Sequence, residues 1–478
     1  MMRTDGVNIT GITCDSNKVK KGFAFIAIKG SKKDGNKYIA EAINRGASII
    51  YTEDDSKIEG IHVIKVENSR KKLAELLNKY YDYPSKKLIL VGITGTNGKT
   101  TTSYILEHIL KNAGFKTGVI GTLGIRLGEK YIPTNLTTPE PEVLFYELNE
   151  MVKEKVEVVI MEVSSHGLKL ARVHGLDFDI AIHTNIGYDH MNFHKTKSDY
   201  IKSKKILFDS LKKNGISIIN LDDKDGLKLI ERNTNTLALT YGLNPKSSIT
   251  ASSLKLQENI SFNLYIQRGL TSLNDVEIEP MEIPISMKLI GRHNIYNALA
   301  AISGALCFGI QPNDIAESLS KFTGLDRRLS IIFDKDYLII DDFCHNPQGY
   351  EVIFETIQTL NFNRLIIVNS IRGSRGAQIN RNNARVLGSW CDTMKNVRLF
   401  LTLSKDTTGA EDNVRNPEVL AYKNTLDKMG IEYMINDNLE ESLRGALSLA
   451  SKNDLVLMLG AQGMDEGKKI VKNMLQLN

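Results

Sequence analysis

Apolar residues in the first part of this chain recur in short runs at strand spacing, and these runs alternate with stretches of helical spacing. The runs with strand character lie at residues 23–28, 47–51 and 61–66. Residues 38–44 and 69–81 have the amphipathic pattern of helices, and a turn-like break follows at residues 83–85. The pattern predicts a small α/β domain over residues 1–87.

From residue 88 the pattern becomes a strand at 88–93, a glycine-rich loop, a helix at 100–113 and a strand at 117–121. This is the beginning of a βαβ series, which predicts a mostly parallel sheet with helices on both faces. Further apolar strands are predicted at 156–161, 179–184 and 215–220. Together they predict a central doubly wound domain that resembles a P-loop ATPase.

The central domain is predicted to be large, because residues 248–285 have the pattern of antiparallel strands and a helix follows at 295–307. A second change comes near residues 324–330. Strands then alternate with helices, at 337–341, 364–369, 398–403 and 455–459. We therefore predict an α/β protein of three domains, 1–87, 88–327 and 328–478, the last a smaller Rossmann-like α/β domain.

Composition narrows the class of protein. The 478 residues are 42% apolar and 24% charged, which is ordinary for a globular chain, and the lysines behind the net charge of +5 are scattered. This argues against a nucleic-acid partner. No 18-residue apolar run or signal-peptide core is present, and four widely separated cysteines form no CxxC pair (Cys14, Cys307, Cys344, Cys391). We expect a soluble, cytoplasmic protein without a membrane partner.

The clearest chemical signal is the sequence Gly-Ile-Thr-Gly-Thr-Asn-Gly-Lys-Thr at residues 92–100, between a predicted strand and a predicted helix. Glycines let backbone N–H groups turn inward around phosphate oxygens, and the helix N-terminus adds partial positive charge. Lys99 is expected to reach the terminal phosphates, and Thr100 offers a hydroxyl to Mg²⁺. A glycine-rich turn that only packs tightly is the alternative, and the Lys-Thr-Thr that follows argues against it.

Glu162 closes the predicted strand at 156–161, at the carboxyl end, where a parallel sheet presents ligands. An acid after a strand is often only a solvated turn residue. Ser164, Ser165 and His166 follow at once, and this polar group favours a Mg²⁺ ligand.

Another strand ends in a segment that contains Asp189, His190 and His194. The spacing of the two histidines could suggest zinc, but no further fixed ligand is apparent. With phosphate chemistry upstream, a second magnesium site or a substrate contact is the better interpretation.

Several segments together resemble the Mur ligases. They are GTNGKTT at 95–101, TTPE at 137–140, MEVSSHGL at 161–168 with Arg172, TNIGYDHMNFH at 184–194, YIKSKKILF at 200–208 and GRHNIYNALAA at 291–301. Within that family the chain is most similar to the UDP-N-acetylmuramoyl-dipeptide ligases that add the third stem-peptide residue, the MurE type. Residues 14–30 with Asp34 and Gly35 resemble the UDP-binding segment of the same group, so the first domain is expected to bind a UDP-linked substrate.

The resemblance implies roles for individual residues. ATP contacts are implied for Gly95, Thr96, Asn97, Gly98, Lys99, Thr100, Thr101, Asn297, Arg328, Asp342 and His345. Magnesium ligands are implied at Thr100, Glu162, His190 and Lys204, with Lys204 carbamylated by CO₂, and a catalytic set at Lys99, Glu162, His190 and Lys204. Ser16 resembles a residue near the uridine, and the muramoyl peptide is implied to contact Thr137, Thr138, Ser164 and Arg172.

Taken alone, Lys204 would be an ordinary surface lysine. The frame of Tyr200, Ser203, Leu207 and Phe208 around it carries the resemblance. A carbamate turns a cation into a carboxylate-like metal ligand, which explains a lysine beside magnesium ions and a triphosphate.

The last third of the chain departs from the family pattern. Residues 370–376, 404–408 and 460–466 stand where these ligases commonly have GGDRD, DNPR and GKGHE segments. In the segment around Arg328, Arg327 replaces a glycine and Ser330 a glutamate. The resemblance implies that the incoming amino acid is selected in this domain, so the sequence supports carboxylate activation more than it supports the identity of the acceptor.

The leading interpretation is a ligase that uses ATP to activate UDP-N-acetylmuramoyl-L-alanyl-D-glutamate as an acyl phosphate and joins it to an amino acid. Its partners would be the UDP-linked muramoyl peptide and the amino acid, and the protein is expected to be a monomer. One alternative is a divergent paralogue acting on another carboxylate, such as a pseudomurein-like nucleotide peptide or a polyglutamate. Another is a nucleotide-binding regulator without catalysis. Because no DNPR-type arginine is present, we expect meso-diaminopimelate to be a poor acceptor.

Overall fold

The computed structural model describes residues 2–30, 33–55, 58, 60–187, 189, 193–234, 236–256 and 259–477. The chain divides into two compact units. Unit 1 consists of Met1–Ala251, Leu264–Ile283 and Tyr296–Ser318, and unit 2 of Ser252–Asn263, Pro284–Ile295 and Leu319–Asn478. No helix among the described residues is long and apolar enough to cross a membrane.

The beginning of the chain forms a four-stranded parallel sheet in the order β3-β4-β5-β6, with β1 and β2 as a separate antiparallel hairpin. The elements are β1 (Met2–Thr4), β2 (Val7–Ile9), β3 (Gly11–Thr13), β4 (Phe23–Ile26), α1 (Ile39–Asn44), β5 (Ala47–Thr52), β6 (His62–Lys65) and α2 (Ser69–Tyr80). The predicted strands and helices of this part are confirmed to within a few residues.

The middle of the chain contains the predicted βαβ series. Its elements are β7 (Ile89–Thr94), α3 (Lys99–Asn112), β8 (Thr117–Gly121), β9 (Gly124–Leu127), β10 (Lys130–Ile132), α4 (Pro141–Lys153), β11 (Val158–Glu162), α5 (Ser165–Lys169), β12 (Phe178–His183), α6 (Lys197–Asp209), β13 (Leu211–Asn220) and β14 (Leu237–Gly242). Strands β8, β11, β7, β12, β13 and β14 are neighbours in that order and run parallel. The parallel sheet predicted from the apolar runs is confirmed, and β9 and β10 extend its β8 edge as antiparallel strands that were not predicted.

Residues 249–321 add short strands and two helices. They are β15 (Ile249–Lys255), β16 (Ile260–Ile266), β17 (Leu270–Thr271), β18 (Glu277–Ile278), β19 (Met281–Met287), α7 (His293–Leu306) and α8 (Pro312–Lys321). The antiparallel prediction for this segment holds for β17 with β18, whereas β15 pairs with β14 in parallel.

The last third of the chain forms a second sheet, in the order β20-β21-β25-β22-β23-β24. Its elements are β20 (Ser330–Asp334), β21 (Leu338–Asp342), α9 (Pro347–Ile357), β22 (Leu365–Ser370), α10 (Ala377–Thr393), β23 (Val397–Thr402), α11 (Asn416–Lys428), β24 (Met434–Asn436), α12 (Leu439–Leu449), β25 (Leu455–Leu459) and α13 (Gly467–Met474). Strands β21 to β25 are parallel and only the edge strand β20 is antiparallel among the described strands, as expected for a Rossmann-like sheet.

Burial explains why the inner strands are apolar along their whole length. In β11 every residue from Val158 to Glu162 is buried, because helices cover both faces of a parallel sheet. Glu162 is the exception to the apolar run and is fully inaccessible to solvent. A carboxylate is rarely buried unless hydrogen bonds or charges hold it, so this end of the sheet needs a polar environment.

Candidate active site

The candidate site of unit 1 lies where the parallel strands of the central sheet end. Strand β7 is followed by the loop of residues 95–98, and the neighbouring strand β11 ends at Glu162. On the other side of β7, β12 is followed by Thr184 and Asn185. The carboxyl edge of a parallel sheet is where α/β proteins bind ligands, so chain-distant residues meet here.

Gly98 is the residue that joins the loop to α3. It precedes the helix with φ +87°, and a Cβ atom at this position would lie 2.4 Å from Oδ1 of Asn297. Only glycine therefore fits both the left-handed backbone and the close approach of Asn297. The first turn of α3 begins at Lys99, and its N-terminal N–H groups have no partners within the helix, which makes this a site for phosphate oxygens.

Two lysines donate to one carbonyl group of this loop. Nζ of Lys99 lies 2.9 Å from the oxygens of Gly95 and Thr96, and Nζ of Lys204 lies 2.8 Å from the same Gly95 oxygen. Two cationic groups thus converge on the glycine-rich loop. An anion bound at the loop would relieve the repulsion between them.

Lys204 is a buried lysine, only 1% exposed, on α6. Its ammonium group lies 4.5 Å from the ring centroid of Tyr200. Burial, and next the charge of Lys99, hold the pKa of Lys204 well below that of an ordinary lysine, while Asp189 opposes the shift. A buried lysine with a lowered pKa is a candidate nucleophile, because a larger fraction of its amine is neutral at a given pH than in an ordinary lysine.

Glu162 is held by three hydrogen bonds from two threonines. The Thr100 hydroxyl donates to its Oε2 over 2.9 Å, and Thr122 donates its N–H to Oε1 and its hydroxyl to Oε2, both over 3.0 Å. A carboxylate and a hydroxyl, both buried, form an oxygen donor set of the kind that Mg²⁺ prefers. Residues Thr100 and Glu162 therefore fit a magnesium ion, whereas His190, the third predicted ligand, lies outside the described residues.

The loop after β12 fixes the backbone of the glycine-rich loop. The Thr184 hydroxyl and the Asn185 side-chain amide donate to the carbonyl oxygen of Asn97, over 2.6 and 3.0 Å. In return, the N–H groups of Thr96 and Asn97 donate to the backbone and side-chain oxygens of Asn185. These paired contacts hold the loop in one conformation.

Helix α6 is anchored to the same loop by Tyr200. Its hydroxyl lies 3.0 Å from Oγ1 of Thr96, and the ring is almost fully buried. His194, which is also buried, lies 2.9 Å from the Ser165 hydroxyl through Nε2 and packs edge-on against Tyr200. The helix that carries Lys204 is therefore tied to both the loop and α5.

Residues predicted to contact the muramoyl peptide lie beside Glu162. The Thr138 hydroxyl donates to the carbonyl oxygen of Glu162 over 3.0 Å and lies 3.1 Å from the Ser164 hydroxyl. Arg172 donates to the Thr138 carbonyl oxygen over 2.9 Å and forms an ion pair with Glu140. These residues form one connected group, and Thr137 joins it through Thr122. Ser16 instead donates to Glu41, within the first sheet region.

Three predicted ATP contacts, Arg328, Asp342 and His345, lie in unit 2, near the end of β21. The carboxylate of Asp342 accepts the N–H of Leu329 over 2.8 Å, and the Arg328 guanidinium lies 5.0 Å from the Phe343 ring centroid. Nδ1 of His345 lies 3.0 Å from the Phe343 carbonyl oxygen. Burial raises the pKa of Asp342, with Arg328 opposing the shift.

Arg327 connects the ends of β21 and β25 in unit 2. It pairs with Asp341 and Asp465 and also donates to the carbonyl oxygens of Gly460 and Ala461. Burial raises the pKa of Asp341 to about 6 even though Arg327 opposes the shift. Sequence analysis noted Arg327 only as the replacement for a glycine, and its structural role was missed.

In the loops that depart from the family pattern, several charged side chains contact other residues of unit 2. Asp406 accepts the N–H of Leu439 over 2.8 Å at the beginning of α12, and Asp412 lies 3.4 Å from the Arg375 guanidinium. Arg372 donates to the carbonyl oxygen of His345 over 2.9 Å. Asp406 thus has a helix-capping role that the sequence did not indicate.

In unit 1, sequence analysis missed the roles of Thr122 and Asn185. Each follows a parallel strand directly or within two residues, Thr122 after β8 and Asn185 after β12. The rule that ligands gather at carboxyl ends of strands could have identified both, although neither belongs to a phosphate-loop motif.

Comparisons with known proteins place this geometry in a family. Residues 8–84 match the profile described as Mur ligase family, catalytic domain; residues 93–305 match the Mur ligase middle domain; and residues 327–462 match the Mur ligase, glutamate ligase domain. The three matched segments follow one another along the chain in the order expected for such ligases.

Individual relatives agree with these profiles. A protein of Caldanaerobacter subterraneus subsp. tengcongensis, named UDP-N-acetylmuramoyl-L-alanyl-D-glutamate--2,6-diaminopimelate ligase, is 36% identical over 95% of this chain and 90% of its own length. A protein of the same name from Clostridium botulinum is 35% identical, with the same coverage. A solved structure of a ligase with that name has a TM-score of 0.66 and 24% identity, covering 95% of this chain and 90% of the other. That similarity concerns the fold.

The burial of Lys204 generates a prediction about stability. In CO₂-free buffer near neutral pH, Lys204→Met should raise the Tm by about 2–4 °C, because a methionine removes a buried cation at similar volume. The pKa of Lys204 is lowered on folding, so above its folded pKa the unfolded state binds more protons and the wild type gains stability as pH rises. The difference in Tm should therefore shrink toward the pKa of an ordinary lysine, as measured by thermal unfolding.

Lys202→Met is the matched control, since Lys202 is an exposed residue of the same helix. A Tm for Lys204→Met that is lower than that of wild type, or a difference that does not change with pH, would contradict the assignment of a buried lysine with a lowered pKa.

Proposed function

Because the chain belongs to the Mur ligase family, we propose that it joins an amino acid to the terminal carboxylate of UDP-N-acetylmuramoyl-L-alanyl-D-glutamate, a step of peptidoglycan precursor synthesis. As a member of that family it is an ATP-dependent acid–amino-acid ligase. The carboxylate attacks the γ-phosphorus of ATP, which gives an acyl phosphate and ADP. The amine then attacks the acyl carbon, and phosphate and a proton leave as the amide forms.

One observation carries the proposal. The Thr100 hydroxyl at the beginning of α3 donates to the buried carboxylate of Glu162, while Lys99 and Lys204 converge on Gly95 of the same loop. Groups suited to phosphate and groups suited to a metal ion thus lie together at one sheet edge. Phosphoryl transfer depends mainly on positioning and on charge stabilisation, and these residues supply both.

Lys99 would neutralise the phosphoryl group that passes from ATP to the carboxylate. Its Nζ is already held at the loop by two carbonyl oxygens, so only a small side-chain movement is needed to reach a bound phosphate. The backbone of residues 95–98 and the first turn of α3, with Thr101, would hold the other phosphate oxygens. Asn297 lies against Gly98, and the family resemblance assigns it a contact with the adenine.

Thr100 and Glu162 would hold magnesium, with His190 as a further ligand. Magnesium, when bound, lowers the negative charge of the phosphate oxygens during transfer. The Glu162 carboxylate is held in position by the protein itself, because Thr122 donates hydrogen bonds to both of its oxygens.

Lys204 would react with CO₂ to form a carbamate. The ammonium group first loses one proton to solvent; the neutral amine then attacks the carbon of CO₂, a C–N bond forms, and a second proton is released, so a cationic group becomes an anionic one. The lowered pKa of Lys204 supports the neutral amine that this reaction needs. The carbamate would remove the repulsion between Lys204 and Lys99 and provide an additional oxygen ligand for magnesium.

The donor substrate is the UDP-linked muramoyl peptide. We assign the binding of its peptide to Thr137, Thr138, Ser164 and Arg172, and the binding of its uridine to Ser16. Thr138 is hydrogen-bonded to Ser164 and to the carbonyl oxygen of Glu162 at the end of β11, so a carboxylate bound there would lie near Glu162. ATP contacts are also proposed for Arg328, Asp342 and His345. We further propose three functional domains at residues 1–87, 88–327 and 328–478, and a monomer that acts without a nucleic acid or a membrane.

There are two candidates for the class of the acceptor amino acid. The relatives are named for 2,6-diaminopimelate. In this chain, the loop of residues 404–408 has no arginine, and Asp406 is engaged at the N-terminus of α12. A planar arginine fork for a second carboxylate is not replaced by lysine or threonine without a large loss of affinity. We propose an acceptor with one carboxylate, either a diamino acid or a neutral amino acid.

Replacing the lysine of the phosphate loop tests activation. Lys99→Ala should lower kcat/KM by roughly 10²–10³-fold, because the transferring phosphoryl group loses its nearest fixed positive charge. Phosphate release with the UDP-linked donor is the measurement. Lys111→Ala, at an exposed position of α3, should behave as wild type. Activity of Lys99→Ala within tenfold of wild type would exclude the phosphate-loop assignment.

Chemical rescue tests the carbamate. Lys204→Ala should be nearly inactive, and acetate should restore part of the activity, since a short carboxylate can occupy the position of the missing carbamate. Turnover is measured with increasing acetate, with Lys202→Ala as the control on the same helix. A fully active Lys204→Ala would show that this lysine is only structural.

A panel of amines tests the acceptor. We expect kcat/KM with meso-diaminopimelate to be lower than with the best of L-lysine, L-ornithine and L-alanine, using the same UDP-linked donor. Phosphate release and formation of the amide are both measured, so that futile ATP hydrolysis is recognised. A tenfold preference for meso-diaminopimelate over all the others would refute this acceptor proposal while leaving the ligase assignment intact.

A further inference from the structure

Thr122 directly follows Gly121, the last residue of β8, and begins the short loop toward β9. Its N–H donates to Oε1 of Glu162 and its hydroxyl to Oε2 of the same carboxylate, both over 3.0 Å. One residue thus fixes both oxygens of the carboxylate. A carboxylate held at both oxygens cannot rotate about its terminal bond without losing a hydrogen bond.

The backbone before Thr122 is shaped to let Glu162 approach. A Cβ atom at Gly121 would lie 2.2 Å from Oε1 of Glu162, so a side chain there would displace the carboxylate. Glu162 is fully buried and Thr122 is partly buried, so water competes little for these hydrogen bonds. The close packing makes Thr122 a fixed partner of Glu162.

A third threonine extends the contact toward the donor side. Oγ1 of Thr122 lies 3.1 Å from Oγ1 of Thr137. A threonine hydroxyl has one hydrogen, and the Thr122 hydroxyl gives it to Glu162, an acceptor-only carboxylate when ionised. Thr137 must therefore donate to Thr122. The result is a directed chain of hydrogen bonds from Thr137 through Thr122 to Glu162.

The hydrogen bonds from Thr122 matter because the one from Thr100 to Glu162 is expected to be lost when a metal binds. Its hydroxyl also donates to Oε2 of Glu162 in this structure, and the same hydroxyl is the one expected to turn to a metal ion. When it turns, the carboxylate loses one donor. The two hydrogen bonds from Thr122 remain, and they keep the carboxylate oriented. Partners that orient a metal ligand in this way commonly contribute about 10–100-fold to metal affinity.

We propose that Thr122 is a positioning residue, which orients Glu162 for a divalent cation and links that orientation to Thr137 on the donor side. The inference rests on the proposed function for the role of Thr137, and on geometry alone for the contact with Glu162. It places a third segment, the end of β8, in the site beside the loop after β7 and the end of β11.

The test compares Thr122→Val, which removes the hydroxyl at nearly constant volume, with Thr122→Ser, which keeps it. Binding of ADP with Mg²⁺ is measured by calorimetry over a range of Mg²⁺ concentrations, and turnover is measured in parallel. Thr122→Val should need roughly 10-fold more Mg²⁺ for half-saturation in both measurements. Thr122→Ser should stay within twofold of wild type.

Thr134→Val is the matched control. The Thr134 hydroxyl also lies in this region and donates to the carbonyl oxygens of Gly121 and Leu136, but the described contacts do not join it to the chain of threonines. It should bind Mg²⁺ as wild type does. An equal loss in Thr134→Val and Thr122→Val would overturn the proposal, because general loosening of the loop would then explain both.

A double-mutant cycle with Thr137→Val tests the link to the donor side. If Thr137 acts on Glu162 through Thr122, the effects of Thr122→Val and Thr137→Val on the Mg²⁺ concentration for half-saturation should not add, and the double variant should resemble Thr122→Val alone. Full additivity overturns the link.

Should Thr122→Val fail to fold, as judged by its Tm, Thr122→Ser and Thr137→Val still decide, because a tenfold Mg²⁺ defect in Thr122→Ser would contradict the role of the hydroxyl. A wild-type protein that binds MgADP normally but does not use the UDP-linked donor would refute the proposed function and not this inference.

Discussion

The structure of the site depends on two ammonium groups that share one carbonyl oxygen. Lys99 and Lys204 both donate to Gly95, and Lys204 is buried almost completely. Like charges repel strongly where water is excluded, and desolvation of Lys204 adds to the penalty. The Gly95 carbonyl, the ring of Tyr200 and the charge of Asp189 offset part of it. A negatively charged ligand offsets the rest, which is why this loop is suited to a polyphosphate.

The surrounding elements keep these cations in place without a ligand. Asn185 and Thr184 hold the backbone of Asn97 on one side, and Tyr200 holds Thr96 on the other. Under the proposed function the loop would need little rearrangement to bind a phosphate, and preorganised charge stabilises a transition state more effectively than charge that must first be moved. The same rigidity explains why the contacts come from strands and helices that are distant in sequence but end at one sheet edge.

Most of the secondary structure could be predicted from the sequence, because buried parallel strands are continuous apolar runs and the helices between them are amphipathic. The strand at Leu455–Leu459 and the helix at Ser69–Tyr80 were predicted to within a residue. The motifs predicted the glycine-rich loop between β7 and α3, and they singled out Lys204, which the structure places against that loop. The hydrogen bonds from Thr122 to Glu162 could not be predicted, since a threonine after a strand has no local sequence signature and its partner is 40 residues away. The hairpin of β9 and β10 was missed because its strands are short and polar on one face.

In unit 2 the departures from the family pattern have structural causes that bear on acceptor choice. Asp465 is paired with Arg327, and the hydroxyls of Ser370 and Ser404, both buried, lie 3.2 Å apart between the ends of β22 and β23. Small hydroxyl side chains and internally paired charges thus lie at the ends of these strands, and the loop of residues 404–408 contains no arginine. A site built from hydroxyls discriminates by hydrogen-bond pattern and by shape, since an unpaired carboxylate in such a site would lose its hydration without gaining a cation. The residues proposed to activate the carboxylate, Lys99, Glu162 and Lys204, lie in unit 1 and make no described contact with these side chains, so under the proposed function the acceptor could change without a change in acyl phosphate formation.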